Sequence, residues 1–372
     1  MSIINSENTR ILNNTYEKFC NSIKFREGED FYTENPVIYE LSYNENPLGP
    51  GTLAKDVIRN HINFVHRYPP LGYSLLIDGL AKHLSIKPEN FIITAGSVAA
   101  INLAIHQFTD PGDKVIYSKS SMPWYRWSVI GCNAIPVEIP LKKNMHHDLD
   151  CILKSIDSKT KVIILSNPHN PTGLYIQENE LLSFYKRLPQ NVLLLIDQAY
   201  YEYQTNQENK LIEILNDAPN LMLTRTFSKI HGLAGLRVGY GMSTEKNIQA
   251  LKAKWLGSFP TITAISSYAA THALSDKEHL EKSYKFNQEI KDFIYKIADE
   301  YEIKYVKSEA NFVLINIFDS IKNEKFFTNQ NMALTCGYFF GYPEWVRLSF
   351  DKRKSDFLMK LTDIFKLEDL RK

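Results

Sequence analysis

The chain has 372 residues and the composition of a globular protein, with 44% hydrophobic and 23% charged residues. Its 43 lysine and arginine residues against 42 aspartate and glutamate residues leave a net charge of +1. This balance gives no overall field that attracts nucleic acid or a membrane surface, so neither partner is expected. The length exceeds the usual size of one domain and predicts two domains.

The N-terminal end and the cysteines exclude further classes. Residues 1–10 are polar and lack the apolar centre of a signal peptide, and no apolar run is long enough to span a bilayer. The four cysteines stand far apart without a CxxC pair, so neither a disulfide framework nor a metal site is expected. We therefore predict a soluble, cytoplasmic protein whose function depends on a local site.

Short apolar strands alternate with amphipathic stretches through the middle of the chain. The strands are rich in Val, Ile and Leu and almost uninterrupted, which is typical of strands buried on both faces of a parallel sheet. The alternation predicts an α/β domain with helices on a mainly parallel sheet. The predicted strands are 91–94, 114–117, 161–165, 192–196 and 220–225, with a further strand at 238–242 on the far side. The predicted helices are 98–107, 124–130, 149–155 and 178–187.

The pattern changes from about residue 263, where a long helical stretch begins that is broken near residues 275–276. Two strands and a closing helix follow it, which predicts a smaller α+β domain; these elements are 311–317, 346–349 and 355–365. The segment before about residue 40 is expected to fold with this domain. The predicted division is an N-terminal arm that is part of the small domain, a large ligand-binding domain and a small C-terminal domain, over residues 1–45, 46–260 and 261–372.

In a parallel α/β sheet, ligands bind at the carboxyl ends of the strands, where loops lead into helices. Four segments of interest follow strands in this way. The first, TAGS at 94–97, opens a helix whose N–H groups favour an anion such as phosphate, although such turns are common in α/β proteins. The second, SNPHNPTG at 166–173, is forced into an irregular turn by two prolines and a glycine. It is either a plain loop or a rigid support that presents Asn170 as a hydrogen-bond donor.

Charged side chains define the other two segments. Asp197, the first residue of DQAY, ends a very apolar strand. It either caps a helix or forms an ion pair in a loop, or it is the partner of a buried cation. Lys229 ends RTFSK and precedes GLAGLR. Most lysines are ordinary surface residues, but a desolvated lysine has a lowered pKa and attacks aldehydes. Arg237 offers a planar fork that suits phosphate oxygens.

Together and in this order, the four segments resemble those of the fold-type I aminotransferases, which depend on pyridoxal 5'-phosphate (PLP). Within that group the chain is most similar to the histidinol-phosphate aminotransferases. The resemblance extends from about residue 40 to the C-terminus and implies an α/β fold-type I transferase, with a large domain on a mainly parallel sheet and a smaller α+β domain. Further matching segments are LSYNENPLGP at 41–50, RYP at 67–69, KPEN at 87–90 and SEANF at 308–312.

The resemblance implies a role for each matching residue near the cofactor ring. Lys229 would hold PLP as a Schiff base and then move the proton between the substrate and the cofactor. Asp197 would pair with the pyridinium nitrogen and keep the ring an electron sink. Asn170 and Tyr200 would hydrogen-bond the ring O3′. The implied catalytic residues are therefore Lys229, Asp197 and Tyr200.

The cofactor phosphate has its own implied ligands. These are the backbone N–H groups of Ser97 and Val98, which open the helix after the glycine turn. The Ser228 hydroxyl and the Arg237 guanidinium would complete the phosphate site.

The resemblance also implies partners beyond the cofactor. Tyr68 would reach the phosphate of the cofactor in a neighbouring subunit, which implies a homodimer. Arg347, in WVRLSF, would bind the anionic end of the substrate, and Asn46 is expected to bind substrate as well. The substrates would be a small-molecule amino donor and a 2-oxo acid acceptor.

Several positions depart from the family pattern. Gln198 follows Asp197 where the family has glutamate, and Val98 stands where an acidic residue is usual. Met122 occupies the place of the aromatic residue that stacks on the cofactor ring, with Trp124 close by. Thr335 replaces an arginine that helps to bind the substrate phosphate. Histidinol phosphate and a non-phosphorylated amino acid or amino alcohol are therefore both open as substrates.

The sequence allows three interpretations of the protein's function. The first is an aminotransferase that cycles PLP through its amine form. The second keeps the cofactor but changes the reaction, as in a decarboxylase of the phosphothreonine-decarboxylase type. The third is a non-catalytic PLP-binding protein, such as the effector domain of a regulator. The lack of a basic DNA-binding extension and the presence of Lys229 with Asp197 and Tyr200 argue against the third and favour the first.

Overall fold

The structure is a computed structural model that describes residues 39–70, 72–255, 262–317 and 320–367. Its strands, in chain order, are β1 (Tyr39–Leu41), β2 (Phe91–Thr94), β3 (Lys114–Ser118), β4 (Ile135–Ile139), β5 (Thr160–Ser166), β6 (Leu193–Asp197), β7 (Leu221–Thr226), β8 (Gly239–Ser243), β9 (Tyr305–Val306), β10 (Val313–Asn316), β11 (Met332–Cys336) and β12 (Trp345–Leu348). Its α-helices are α1 (Thr52–His61), α2 (Ser74–Leu84), α3 (Ser97–Phe108), α4 (Pro123–Gly131), α5 (Leu149–Lys154), α6 (Glu178–Tyr185), α7 (Lys210–Glu213), α8 (Glu245–Trp255), α9 (Ala264–Ser275), α10 (Lys277–Glu300), α11 (Ser320–Asn329) and α12 (Lys354–Phe365).

Seven strands form the larger sheet, in the order β2-β8-β7-β6-β5-β3-β4. The strands from β3 to β7 pair in parallel, which confirms the predicted mainly parallel α/β sheet. The strand predicted at 238–242 is present as β8 (Gly239–Ser243), but its expected place on the far side of the sheet was wrong. β8 lies between β2 and β7 and is antiparallel to both, because the chain returns beside β7 after a short connection without a crossover helix.

Alternate residues of the central strands enter two separate cores, one on each face of the sheet. In β5, Ile163 and Leu165 belong to one hydrophobic cluster, whereas Val162 and Ile164 belong to the other. Successive side chains of a strand point to opposite faces, so a strand that is covered on both sides must be apolar at every position. This requirement explains the uninterrupted apolar runs that the sequence shows.

The smaller sheet has the order β1-β11-β12-β10-β9. β1 pairs in parallel with β11, so the start of the described chain is part of this sheet. β11 and β12 are antiparallel and place Thr335 directly opposite Arg347. Helices α10 and α12 cover the sheet and share one hydrophobic core with it.

The helix α9 packs with the larger sheet and not with the smaller one. Ala269, Ala270 and Ala273 are buried in the core that contains α1 and α2. Asp276 follows α9, and its carboxylate accepts hydrogen bonds from the backbone N–H groups of Leu53 and His279. We therefore propose that the small domain begins near Asp276, where α10 starts. In the described part of the chain, no helix is both long and apolar enough to cross a membrane.

Candidate active site

A cavity of about 1000 Å³ opens at the carboxyl ends of the large sheet's strands and is also lined by the small domain. The sequence motifs predicted the functional residues at strand ends. The ends of four strands, β2, β5, β6 and β7, contribute residues to the cavity wall. The predicted site residues that line the cavity are Ser97, Val98, Asn170, Asp197, Tyr200, Ser228, Lys229, Arg237 and Arg347.

Lys229 follows β7 and lines the cavity, where its side chain is partly buried. Its Nζ donates a hydrogen bond to the Tyr43 carbonyl over 2.8 Å and lies 5.5 Å from the centre of the Tyr200 ring. Burial lowers the pKa of Lys229 to about 7, and the positive charge of Arg347 adds to this effect. A lysine with this pKa is substantially neutral at physiological pH and is therefore nucleophilic.

Asp197 is the last residue of β6 and is 8% exposed. The Tyr125 hydroxyl donates a hydrogen bond to its Oδ2 over 2.8 Å, and the Thr224 hydroxyl lies 3.4 Å from its Oδ1. Burial nevertheless raises the pKa of Asp197, because these bonds do not replace the water that the carboxylate has lost. A cation placed in the cavity would stabilise the charged carboxylate.

A hydrogen-bond network crosses the cavity from the large domain to the small one. The Tyr200 hydroxyl accepts from the amide nitrogens of Asn44 and Asn170, each over 2.9 Å. The Asn170 Oδ1 accepts in turn from Nη1 of Arg347 over 2.6 Å. Asn170 thus fixes the phenol of Tyr200 and the guanidinium of Arg347 relative to each other.

Arg347 is the cation that the small domain contributes. Its Nη2 donates to the Thr335 hydroxyl over 2.9 Å and to the Ser42 carbonyl. Burial lowers the pKa of Arg347 to about 10, so it remains charged at neutral pH. Its Nε is buried without an acceptor among the described residues, which leaves one donor of the fork for a ligand.

The turn that carries Asn170 also touches the small domain. The backbone N–H of Glu309 donates to the carbonyl of Gly173 over 2.8 Å. Gly173 has φ of +73°, and a Cβ at this position would overlap Ser308. Only glycine fits here, for reasons of both conformation and space.

The start of α3 also lines the cavity, together with Arg237. Gly96 precedes the helix with φ of +82°, and a Cβ there would lie 2.5 Å from Nη2 of Arg237. Nη1 of Arg237 lies 3.3 Å from the Ser228 hydroxyl. The first N–H groups of a helix lack partners within the helix, so those of Ser97 and Val98 suit a phosphate beside a guanidinium.

Two predicted residues are not brought to this cavity. Asn46, predicted to bind substrate, is buried, and its Nδ2 donates to the Ile230 carbonyl over 2.7 Å and to the Ser283 hydroxyl over 2.9 Å. Its side chain therefore joins α10 to the loop after Lys229, and substrate binding by Asn46 stays a prediction. Tyr68 is 86% exposed and lies outside the cavity of its own chain.

The structure shows where two residues that depart from the family pattern lie, Gln198 and Met122. Gln198 does not line the cavity; its Oε1 accepts from Nε of the buried Arg225 over 3.0 Å. Arg225 also lies over the Tyr201 ring, 3.6 Å from its centre, so the missing carboxylate changes an internal contact of the domain. Met122 lines the cavity, with its sulfur 3.9 Å from Nη1 of Arg347, and Trp124 lines it as well.

Asn44 and Tyr125 are site residues that the sequence reasoning missed. Asn44 is 156 residues from the Tyr200 that it contacts, and Tyr125 is 72 residues from Asp197, so neither contact follows from a local pattern. The one available signal for Asn44 was its place within the matching segment LSYNENPLGP, which also contains Asn46.

The sequence profile of class I and II aminotransferases matches residues 37–359. The chain belongs to this family. The histidinol-phosphate aminotransferase of Caldicellulosiruptor saccharolyticus is 36% identical over 314 residues, which cover 84% of this chain and 87% of the relative. The enzyme of the same name from Staphylococcus epidermidis is 35% identical over 295 residues, covering 77% and 82% of the two chains. The resemblance that the sequence motifs predicted is therefore confirmed.

Solved structures show the same fold. The histidinol-phosphate aminotransferase of Sinorhizobium meliloti, solved in complex with PLP, has a TM-score of 0.82 at 24% identity and covers 89% of this chain and 92% of its own. That of Clostridium acetobutylicum has a TM-score of 0.80 at 23% identity and covers 88% and 99%. The fold-type I architecture is thus confirmed, and the protein is an aminotransferase of a family whose cofactor is PLP.

The residues present fit this cofactor. A neutral lysine suits an aldehyde, a buried carboxylate suits a protonated pyridine nitrogen, and a helix start beside a guanidinium suits a phosphate. Lys229, Asp197 and Arg237 supply these three groups around one cavity. Each feature is a property of the described residues themselves and does not depend on the comparison.

Proposed function

We propose that this aminotransferase transfers an amino group from a donor that carries a carboxylate or another anionic end to a 2-oxo acid, with Lys229 as the catalytic base. The observation that carries the proposal is the near-neutral pKa of Lys229 in a cavity that also holds Asp197 and Arg347. PLP supplies an electron sink for the substrate carbanion. The decarboxylase and the non-catalytic alternatives have no support in the family comparison.

The proposed roles follow from where each side chain lies. Asp197, whose carboxylate accepts a hydrogen bond from Tyr125, would pair with the pyridine nitrogen of the cofactor. Tyr200 and Asn170 would bind the phenolic oxygen of the cofactor. The Tyr200 hydroxyl accepts hydrogen bonds from two asparagine amide nitrogens and so keeps its own proton to donate. The proposed phosphate ligands are Ser97, Val98, Ser228 and Arg237.

Lys229 and Arg347 act on the substrate in this proposal. Arg347 binds the substrate carboxylate and orients the Cα–H bond towards Lys229. The Nζ of Lys229 would take the proton from the substrate Cα and hold it for return at the end of the transfer. A positioned acid–base group of this kind typically contributes about 10²–10⁴-fold to the rate.

The spectrum of the PLP-loaded protein tests the proposal directly. Addition of an amino donor should convert the absorbance band of the bound cofactor to that of pyridoxamine phosphate. Recovery of pyridoxamine phosphate from the protein would establish transamination, whereas release of carbon dioxide with retention of PLP would contradict it.

The pH dependence of cofactor uptake follows from the lowered pKa of Lys229. Protonated lysine cannot attack an aldehyde, so uptake of PLP by the apoprotein should slow about tenfold per pH unit below the pKa of about 7 and level off above it. Stopped-flow absorbance between pH 5.5 and 9.5 measures the rate. A rate that keeps rising to pH 9.5 would mean that the lysine has an ordinary pKa, against the structure.

We also propose a homodimer. Among the residues that the structure describes, ten large hydrophobic ones are exposed, and six of these fall between residues 53 and 75: Leu53, Ile62, Phe64, Val65, Tyr68 and Leu75. Exposed apolar residues concentrated in this way mark an interaction surface. Because Tyr68 stands among them, a second copy of the chain seated here would receive Tyr68 near its own cavity.

Mixed dimers test this arrangement. Tyr68→Ala and Lys229→Ala should each be poorly active alone, but a hybrid dimer of the two contains one site with both residues intact. If Tyr68 acts across the interface, mixing under exchange conditions should restore activity to about a quarter of the unmodified level. No recovery in hybrids that are shown to form, or a monomer in sedimentation, would contradict the proposal.

A further inference from the structure

We infer that Lys291, with Tyr295 beside it on α10, is a positioning residue for the amino-group transfer. Its buried ammonium holds the loop between β9 and β10, residues 307–312, against the turn that carries Asn170. Lys291 lies outside the cavity, so it acts through other residues. This inference rests on the proposed function, in which Asn170 is a ligand of the cofactor.

Lys291 is a lysine in the interior of the protein. It is 2% exposed, and its Nζ donates a hydrogen bond to the Ser308 carbonyl over 2.7 Å. Burial lowers the pKa of Lys291 to about 8, and the charges of Glu309 and Asp292 oppose this effect. An ammonium that is taken out of water costs free energy, whereas an apolar side chain would fill the same space without that cost. We therefore attribute the place of Lys291 to the bond that it makes.

Helix α10 binds both backbone polar groups of Ser308. Lys291 binds the carbonyl, and the Tyr295 hydroxyl accepts the backbone N–H over 2.8 Å. Residues four apart lie on the same face of a helix, so these two side chains reach the loop together. The Ser308 hydroxyl accepts the N–H of Ala310 over 3.1 Å, which closes the loop on itself. The loop is thus fixed to α10 at Ser308.

The same loop also contacts the large domain. The backbone N–H of Glu309 donates to the Gly173 carbonyl over 2.8 Å, and a Cβ on Gly173 would lie 2.1 Å from the Ser308 hydroxyl. The Glu309 carboxylate accepts from the backbone N–H of Thr205 over 2.7 Å. The loop therefore joins α10 to the large domain at the turn that ends with Gly173.

The turn carries Asn170 within a closed hydrogen-bonded unit. The backbone N–H of Gly173 donates to the His169 carbonyl over 2.6 Å. The Asn170 side chain then bridges Arg347 and Tyr200 in the cavity. Every step from α10 to the cavity is a direct contact between neighbouring groups, and such connected networks carry coupling between distant groups.

Hydrogen exchange of the full chain loaded with PLP tests these contacts without turnover. Lys291→Met removes the ammonium from a side chain of similar length, and amide exchange should accelerate about tenfold in residues 307–312 and also in residues 166–173. Lys296→Met, at an exposed position of the same helix, should change neither segment. Faster exchange in residues 307–312 alone, or no change in either segment, would overturn the inference.

Binding of propionate to the PLP-loaded protein tests the effect at the cavity. Propionate has the carboxylate that Arg347 binds in the proposed function, but it has no amine to transfer. Lys291→Met should weaken its binding about fivefold, because the partner of Arg347 is less firmly held, and Lys296→Met should not. Unchanged binding in Lys291→Met would overturn the inference. If Arg347→Ala binds propionate as well as the unmodified protein does, the proposed role of Arg347 fails instead, and hydrogen exchange still decides about Lys291.

A double-mutant cycle separates positioning from a general effect on the fold. In Asn170→Ala the contact with Arg347 is already lost, so adding Lys291→Met should weaken propionate binding no further. Equal losses in both backgrounds would overturn the inference. Tyr295→Phe removes the other bond from α10 to the loop and should give the same direction of change in binding and in exchange. It replaces Lys291→Met as the test if that variant does not fold, and an unchanged Tyr295→Phe protein would then overturn the inference.

Discussion

Replacement of Lys229 by alanine should abolish transamination, with a loss of at least about 10⁴-fold in kcat. The variant loses both the amine that bonds the cofactor aldehyde and the base that moves the Cα proton, while the other cavity residues stay in place. The absorbance band of the covalently bound cofactor should disappear together with activity. Steady-state kinetics and a spectrum of the same sample measure both effects.

A matched lysine outside the cavity controls for the loss of a lysine as such. Lys252 lies on α8, away from the cavity, and Lys252→Ala should keep both the cofactor band and the activity. Added methylamine can replace the missing amine and should restore part of the turnover in Lys229→Ala. Turnover by the alanine variant without added amine would refute the proposed base.

Replacement of Asp197 by asparagine should lower kcat by about 10²–10³-fold with little change in fold. The amide has the shape of the carboxylate but no charge, so it cannot hold a proton on the cofactor's pyridine nitrogen. Without that proton the ring withdraws electrons weakly, and removal of the Cα proton becomes slow. Single-turnover kinetics should show the loss in the chemical step.

Tyr125→Phe separates the charge of Asp197 from its position. This variant removes the 2.8 Å hydrogen bond to the carboxylate but keeps the charge, so we expect a loss of only about tenfold. A cofactor analogue that carries a permanent positive charge at the ring nitrogen should rescue Asp197→Asn and leave Tyr125→Phe unchanged. Equal losses in the two variants would show that Asp197 acts through geometry alone.

The central strands could be predicted because burial on both faces requires apolar residues at every position. β4 and β11 were not predicted because they are only partly buried. β4, with the sequence IPVEI, contains a proline and lies at the edge of the large sheet, and β11, with MALTC, is half-buried over its middle residues. Strands that are only partly covered tolerate polar residues and lose the pattern that identifies them.

Residues at strand ends were predictable, whereas contacts across the chain were not. Asp197 ends one apolar strand and Lys229 follows another, so both charges are conspicuous in the sequence. Asn44 reaches Tyr200 only because the small domain brings its segment back to the large one. Asn46 lies two residues from Asn44 but has different partners: Asn44 has φ of +53° and reaches Tyr200, whereas the Asn46 side chain bonds to Ile230 and Ser283.

The contact between Gly173 and the loop at Ser308 joins the small domain directly to the turn that carries Asn170. Because the two backbones touch with no room for a side chain, the turn that carries Asn170 is held directly against that loop. Asn170 in turn spaces Tyr200 from Arg347. The backbone contact between the domains therefore also sets the spacing of Tyr200 and Arg347, two groups that no residue of the Ser308 loop touches in this network.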